Sequence, residues 1–165
     1  MKSTTSKIIV LSLALFALAC VTPALEFQSY QMVQNKKVMG EMITWFGWVC
    51  LYKGLMAIFI GQFAQFANIF YVVALLMLQE KSYLTAAMCS LFALLSGLHT
   101  LSLNKMNVYN DDAGVIKLTF LHPTIGFYLW MASFLVLLAL SIGLMIEHAK
   151  AKKGLSQENN PPVKT

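Results

Sequence analysis

Two stretches of this chain, Tyr83 to Leu103 and Ile125 to Ile146, hold no formally charged residue. At ~1.5 Å per helical residue each is long enough to cross the ~30 Å hydrocarbon core of a bilayer. A third apolar run, Ile8 to Leu25, follows Lys2 and Lys7 as a signal anchor does, or as a signal peptide ending near Thr22-Pro23-Ala24. Composition points the same way, because only 12% of the 165 residues are charged, against roughly a quarter in soluble domains. The fold class this implies is all-α: an integral membrane helical bundle of about four transmembrane helices plus one interfacial or packed helix. Residues 1–149 then form one membrane domain. Residues 150–165, rich in lysine and ending near Asn159-Asn160-Pro161-Pro162, form a disordered cytoplasmic tail.

Lysine placement chooses among the possible topologies, since loops on the cytoplasmic side carry the excess of positive charge. With spans near 8–25, 62–78, 83–103 and 125–146 and the N-terminus inside, Lys2, Lys7, Lys81, Lys150, Lys152, Lys153 and Lys164 lie inside. Lys36, Lys37, Lys105 and Lys117 lie outside, with Lys53 at the outer face. A fifth span over Met42 to Ile60 with the N-terminus still inside reverses that bias. Five spans with the N-terminus outside preserve it but export Lys2 and Lys7. The four-span arrangement therefore predicts a multi-pass protein of a bacterial inner (plasma) membrane with both termini cytoplasmic.

The segment near 41–61 reads as an interfacial helix. Gly47, Cys50, Gly54, Ala57 and Gly61 recur at spacings of three and four and form one small-residue seam, while Trp45, Trp48, Tyr52 and Phe59 fall on the other side. Small seams let membrane helices approach closely, and Trp and Tyr favour the headgroup level. Small residues also mark the third span at Ala86, Ser90, Ala93 and Gly97 and the fourth at Ala132, Ala139 and Gly143, which predicts close antiparallel packing of the two.

Several activities are disfavoured. The net charge of +5 comes from lysine alone, with no arginine to clamp phosphates, so nucleic acid is not an expected partner. Cys20, Cys50 and Cys89 show no CxxC spacing and read as small packing residues. His99 and His122 could meet across antiparallel helices, an arrangement able to hold a haem or metal, but no second pair or CxxCH site accompanies them. No cofactor or metal is expected. Asn110-Asp111-Asp112-Ala113-Gly114 reads as a turn rather than a calcium loop. No activated nucleophile is visible, so an enzyme is not expected.

What remains is polar. In the four-span arrangement Gln62, Gln65, Asn68, His99, Thr100, Asn104 and His122 fall at similar depth near the outer face. Such groups in a membrane either line a binding site or hydrogen-bond helix to helix. Two function classes follow. One is a non-enzymatic accessory or interaction module acting through helix contacts, with the lipid bilayer and another membrane protein or a second copy as partners. The alternative is a small-molecule binder or transporter using the polar cluster.

The string Gly61-Gln62-Phe63-Ala64 with Ala67-Asn68, after Trp45-Phe46-Gly47-Trp48, resembles a loosely defined group of small uncharacterised multi-span bacterial inner-membrane proteins. Gly126-Phe127-Tyr128-Leu129-Trp130 shares the resemblance, which covers roughly Trp45 to Leu140. It implies a topology and no activity. Gln65 stands where such strings place an aromatic residue, and no proline follows Asn68.

Overall fold

The computed structural model describes the backbone of residues 2–34, 36–57, 63–105, 108–109 and 117–158, with side chains from 5 to 152 apart from 55–57 and 104–109 in those ranges. The chain runs α1 (Lys2–Val21), β1 (Pro23–Val33), β2 (Lys36–Phe46), α2 (Gly47–Ala57), α3 (Phe66–Gln79) and α4 (Tyr83–Leu98). A 3-10 segment (His99–Lys105), β3 (Val108–Tyr109), β4 (Lys117–Pro123) and α5 (Ile125–Glu158) complete it.

The all-α expectation is therefore corrected: the architecture is mixed. Three long antiparallel strands, extended at one edge by the two-residue β3, form a sheet of order β2-β1-β4-β3. Among the described residues two helices, Tyr83–Leu103 and Ile125–Lys152, are long and apolar enough to cross a membrane, and Thr5–Val21 and Phe66–Gln79 are apolar but shorter.

The sheet forms for local reasons. Along β1, Leu25, Phe27 and Ser29 are buried and alternate with the half-exposed Glu26, Gln28 and Tyr30, the period of two expected of a half-buried strand. Gln34 adopts φ 48°, and the closing pair Val33 and Lys36 makes a two-residue hairpin between β1 and β2. β4 joins β1 on its other side with Leu118 and Phe120 turned to the core. The segment expected as a helix from residue 41 is strand as far as Phe46, because Ile43, Thr44 and Trp45 pair with Phe27, Glu26 and Leu25. Helix begins at Gly47. Phe27 anchors the inner face, with Trp45 at 4.5 Å and Phe120 at 5.7 Å between ring centroids.

The sheet grows out of two helix ends, since β1 follows α1 and β4 leads into α5. Backbone hydrogen bonds pin this junction: Gly47 N–H donates to the Thr22 carbonyl at 3.1 Å, and Thr124 N–H to the Ala24 carbonyl at 2.9 Å. Here glycine is required. A Cβ on Gly47 would fall directly on the Ala19 carbonyl oxygen and 2.8 Å from Cys20 Cα, and one on Gly126 would sit 2.6 Å from the Pro23 carbonyl.

α3 and α4 form a hairpin whose turn is a Schellman motif. Ser82 N–H donates to the Met77 carbonyl and Lys81 N–H to Leu78, with Lys81 in the left-handed region at φ 59°. α4 packs on both α3 and α5 and buries its small stripe, Ala86, Ser90, Ala93 and Gly97, with Gly97 lying against α5. The expected small-to-small contact is replaced by large-into-small packing: a Cβ on Gly97 would meet Met131 Sδ at 2.8 Å and the Trp130 and Phe134 rings at 3.4 Å. Ala139 is exposed, and Gly143 faces open space, since a Cβ there meets nothing within 4 Å. α5 continues as helix to Glu158, past the start of the expected tail at residue 150. The Asn110 to Gly114 turn and the tail beyond Glu158 lie outside the described residues.

Candidate functional site

The sheet-facing ends of α3, the α4 extension and α5 bring several of the sequence-selected polar residues close together. Asn68, in the first turn of α3, is the hub. Its Nδ2 donates to Gln65 Oε1 at 3.1 Å, and its Oδ1 accepts from Trp130 Nε1 of α5 at 2.9 Å. Gln65 in turn closes against α2, because a Cβ on Gly54 would sit 2.6 Å from Gln65 Oε1. One asparagine and one glutamine thus tie α2, α3 and α5 together just below the sheet.

His99, at the end of α4, lies beside the chain entering α3. The Phe63 backbone N–H donates to His99 Nδ1 at 3.4 Å, and the two rings are 5.8 Å apart. A ring accepting at Nδ1 carries its proton on Nε2 when neutral. Thr100 is buried next to it, and the Ser102 hydroxyl closes the turn by donating to the His99 carbonyl at 2.7 Å.

His122 belongs to a different neighbourhood. It lies on β4 opposite Glu26 of β1, with Nε2 3.4 Å from Glu26 Oε2. The imidazole is largely exposed, so the pair contributes at most ~1 kcal/mol to stability. Among the described residues no group of three or more His, Cys, Asp or Glu is arranged to hold a metal ion. Gln62 and Gly61 lie outside the described residues, as does the side chain of Asn104.

A second polar network lies in the middle of the helices and includes none of the polar residues selected from the sequence. The fully buried Ser12 of α1 donates to the Ser133 carbonyl of α5 at 2.9 Å and is 2.8 Å from the Tyr71 hydroxyl of α3. A hydroxyl has one proton, so with Ser12 donating to the carbonyl, Tyr71 is the donor to Ser12 Oγ. The Tyr71 ring is stacked on Phe16 at 5.0 Å and 5° and tilted on Phe134 at 5.3 Å. Three helices meet in one contact. The signal was available: Ser12 is the lone hydroxyl between Ile8 and Val21, inside an otherwise apolar run.

α2 presents two faces. Gly47 and Gly54 pack inward, whereas Trp48 and Tyr52 are 61% and 66% exposed. Lys53 lies 4.7 Å above the Trp45 ring. Burial, with the nearby Cys20 as a second cause, pushes the Cys50 thiol up to about 12. A thiol so suppressed is a packing group rather than a nucleophile.

The distribution of side-chain size over the helices is the most informative feature. The helix interior is lined by Ser12, Ala67, Ala74, Ala86, Ala93, Ser90, Ser133 and Ser141 among a few aromatics and leucines. The large aliphatics Leu11, Leu13, Val72, Leu76, Leu91, Leu95, Leu135 and Ile142 face outward. Three of the buried serines bond within their own helix, Ser90 donating to the Ala86 carbonyl, Ser133 to Trp130 and Ser141 to Leu137. The fold thus defines a mixed α/β chain: a sheet set on one end of a helix group whose outer faces are apolar. Compared with known protein families, curated proteins and solved structures, the chain matches none.

Proposed function

We propose that the chain is a small multi-span inner-membrane protein that works as a non-enzymatic interaction module, with its helices in lipid and its sheet outside the hydrocarbon. One observation carries this reading: large aliphatic side chains cover the outside of α1, α3, α4 and α5 while alanine, serine and glycine fill much of the inside. In water that arrangement exposes a contiguous apolar surface far beyond the few hundred Å² a soluble monomer tolerates. In lipid it costs nothing, because helix association there rests on close packing of small residues and interhelical hydrogen bonds. Exposed Trp48 and Tyr52 suit the headgroup level beside the sheet. Lys2 and Lys7 lie in the first turns of α1, Lys81 in the α3–α4 turn, and Lys150 and Lys152 in the later turns of α5, all on the side away from the sheet, which fits cytoplasmic termini.

The polar residues support an interaction role over ligand binding. Asn68 spends its amide on Gln65 and Trp130, and His99 accepts from the chain backbone, so these groups are engaged with the protein itself. Alanine substitutions of Gln65, Asn68 and His99 test the reading by thermal unfolding in mild detergent. Each variant should insert normally and lose a similar small increment of stability, about 0.6 kcal/mol per interhelical hydrogen bond. A small polar solute that raises the melting temperature of the wild type but not of Asn68→Ala contradicts it and points to a binding site.

A further inference from the structure

The end of α1 and the start of α2 are held against each other, and a cysteine stands on each side of that junction. The Thr22 carbonyl, just past α1, accepts from Gly47 N–H at 3.1 Å, while the Thr22 hydroxyl donates back to the Leu18 carbonyl at 2.9 Å. The last turn of α1 is thereby fixed beside the first turn of α2. The position of a Gly47 Cβ is only 2.8 Å from Cys20 Cα. Cys50 follows Gly47 by three residues on α2, and residues three apart share a helix face, with Cβ positions about 5–6 Å apart. The face of α2 that meets Cys20 is therefore the face that carries Cys50. Both cysteines are partly buried, and the two sulfurs sense one another: after burial, the charge of Cys20 is the second cause pushing the Cys50 thiol up to about 12. Cys89 lies near the middle of α4.

We propose that Cys20 and Cys50 are a disulfide-forming pair, closing a covalent link between α1 and α2 by exchange with an external disulfide such as glutathione disulfide. The exchange balances in two steps. The Cys20 thiolate, its proton gone to water, attacks one donor sulfur and forms a mixed disulfide, and the other donor sulfur leaves as a thiolate that takes up a proton. Cys50 then loses its proton and attacks the Cys20 sulfur, so that the Cys20–Cys50 bond forms and the second donor thiolate leaves. The pair gives up two electrons and two protons, and the donor disulfide becomes two thiols. Toward reagents in solution the suppressed Cys50 stays inert, but toward a sulfur held beside it proximity offsets the scarcity of thiolate. The reduced pair also lacks the thiolate stabilisation that makes a disulfide strongly oxidising, so the bond is slow to form and hard to reduce.

The loop it closes contains the whole β1–β2 hairpin, so the link restricts the unfolded chain and fastens the sheet-bearing end of the molecule to α1. The pairing rests on the junction alone. Only its oxidation in cells rests on the membrane reading, which puts the sheet end of α1 outside the cytoplasm, where disulfides persist.

Peptide mapping tests it. Full-length wild type in isolated membranes is reduced, freed of reductant and exposed to glutathione disulfide, then quenched with acid, alkylated while unfolded, digested and read by mass spectrometry. The Cys20–Cys50 linked peptide should exceed any linkage to Cys89 at least five-fold. Cys50→Ala should stop at a glutathione adduct on Cys20. Combining Cys50→Ala with Leu51→Cys turns the thiol ~100° off the face that meets Cys20 and should cut the linkage at least five-fold. Cys20 and Cys50 both alkylated, both left carrying glutathione, or linked no more than Cys89 overturns the proposal, as does equal linkage from position 51. The same digest of protein quenched directly in growing cells reads the compartment, and the linked peptide is expected there too. A pair that links in isolated membranes yet is reduced in cells overturns the outer placement of the sheet end and leaves the pairing standing.

Discussion

Leu135 sits near the middle of the uncharged part of α5, Ile125 to Ile146, with 51% of its surface exposed, between the buried pair Ser133 and Phe134 and the buried Leu137. Replacing it by aspartate separates lipid from water as the surroundings of this helix. On a soluble protein such a change at an exposed site stays within about 0.5 kcal/mol. At the centre of a membrane span, leucine contributes about −0.5 kcal/mol and aspartate costs about 3 kcal/mol, so the exchange costs about 3.5 kcal/mol. That is a factor of several hundred in the insertion equilibrium, at 1.4 kcal/mol per factor of ten. Half-burial trims the leucine part but leaves the carboxylate cost. Leu84→Asp, at the first turn of α4 and 64% exposed, provides the depth control, since a carboxylate near the interface reaches water. Immunoblots of membrane fractions from cells expressing each variant give the readout. Leu135→Asp should fall at least tenfold below wild type while Leu84→Asp stays within about two-fold. Wild-type levels of a stable Leu135→Asp protein would refute the assignment of this face to lipid.

Further predictions follow from single contacts. Lys81→Gly should stabilise the α3–α4 hairpin by about 1 kcal/mol, because a left-handed backbone costs a side-chain-bearing residue about that much; an unchanged melting temperature in detergent counts against it. Gly47→Ala should destabilise by about 2 kcal/mol, since its Cβ meets α1 backbone rather than a movable side chain, whereas Gly143→Ala should be neutral or slightly stabilising. Tyr71→Phe should cost about 0.6 kcal/mol, as Ser12 keeps its bond to the Ser133 carbonyl, and Ser12→Ala should cost more because it removes both bonds. An ordinary thiol is half ionised near pH 8.5, but a raised pKa means fewer thiolates at any given pH, so Cys50 should resist maleimide and iodoacetamide until the pH approaches 12. Peptide mapping that finds Cys50 modified at pH 8 as fast as a free thiol contradicts its burial.

The uncharged runs announced α4 and α5, because length and the absence of charge need no tertiary context. The hairpin was harder to see. Only Leu25 and Phe27 on β1 give an apolar alternation before Ser29 and Gln31 break it, and the buried position of Ser29 is decided by its bond to the Glu41 carbonyl. The seam at Gly47, Gly54 and Gly61 drew the helix back through Glu41, although Ile43, Thr44, Trp45 and Phe46 are β-branched or aromatic and suit a strand. In the polar cluster, Gln65 and Asn68 are grouped by depth alone, and they bond at a spacing of three across the start of α3, but the donor from Trp130 depends on how α5 packs and has no local signature. His122 was grouped with His99 because both lie near span ends; cross-strand pairing with Glu26 carries it away. α4 and α5 do pack on each other, but which residues meet was not legible, since a small residue shows where a neighbour can approach but not whether that neighbour is small or large.

Spin labels at Leu11, Val72, Leu95 and Leu135, with matching labels at Gln28 and Met39 on the sheet, test the placement of the helices most directly through collision with oxygen and with a water-soluble nickel chelate. Helices in lipid require all four helix labels to meet oxygen readily and nickel poorly, with the reverse at the two sheet positions. Nickel access at the helix sites equal to that on the sheet contradicts it.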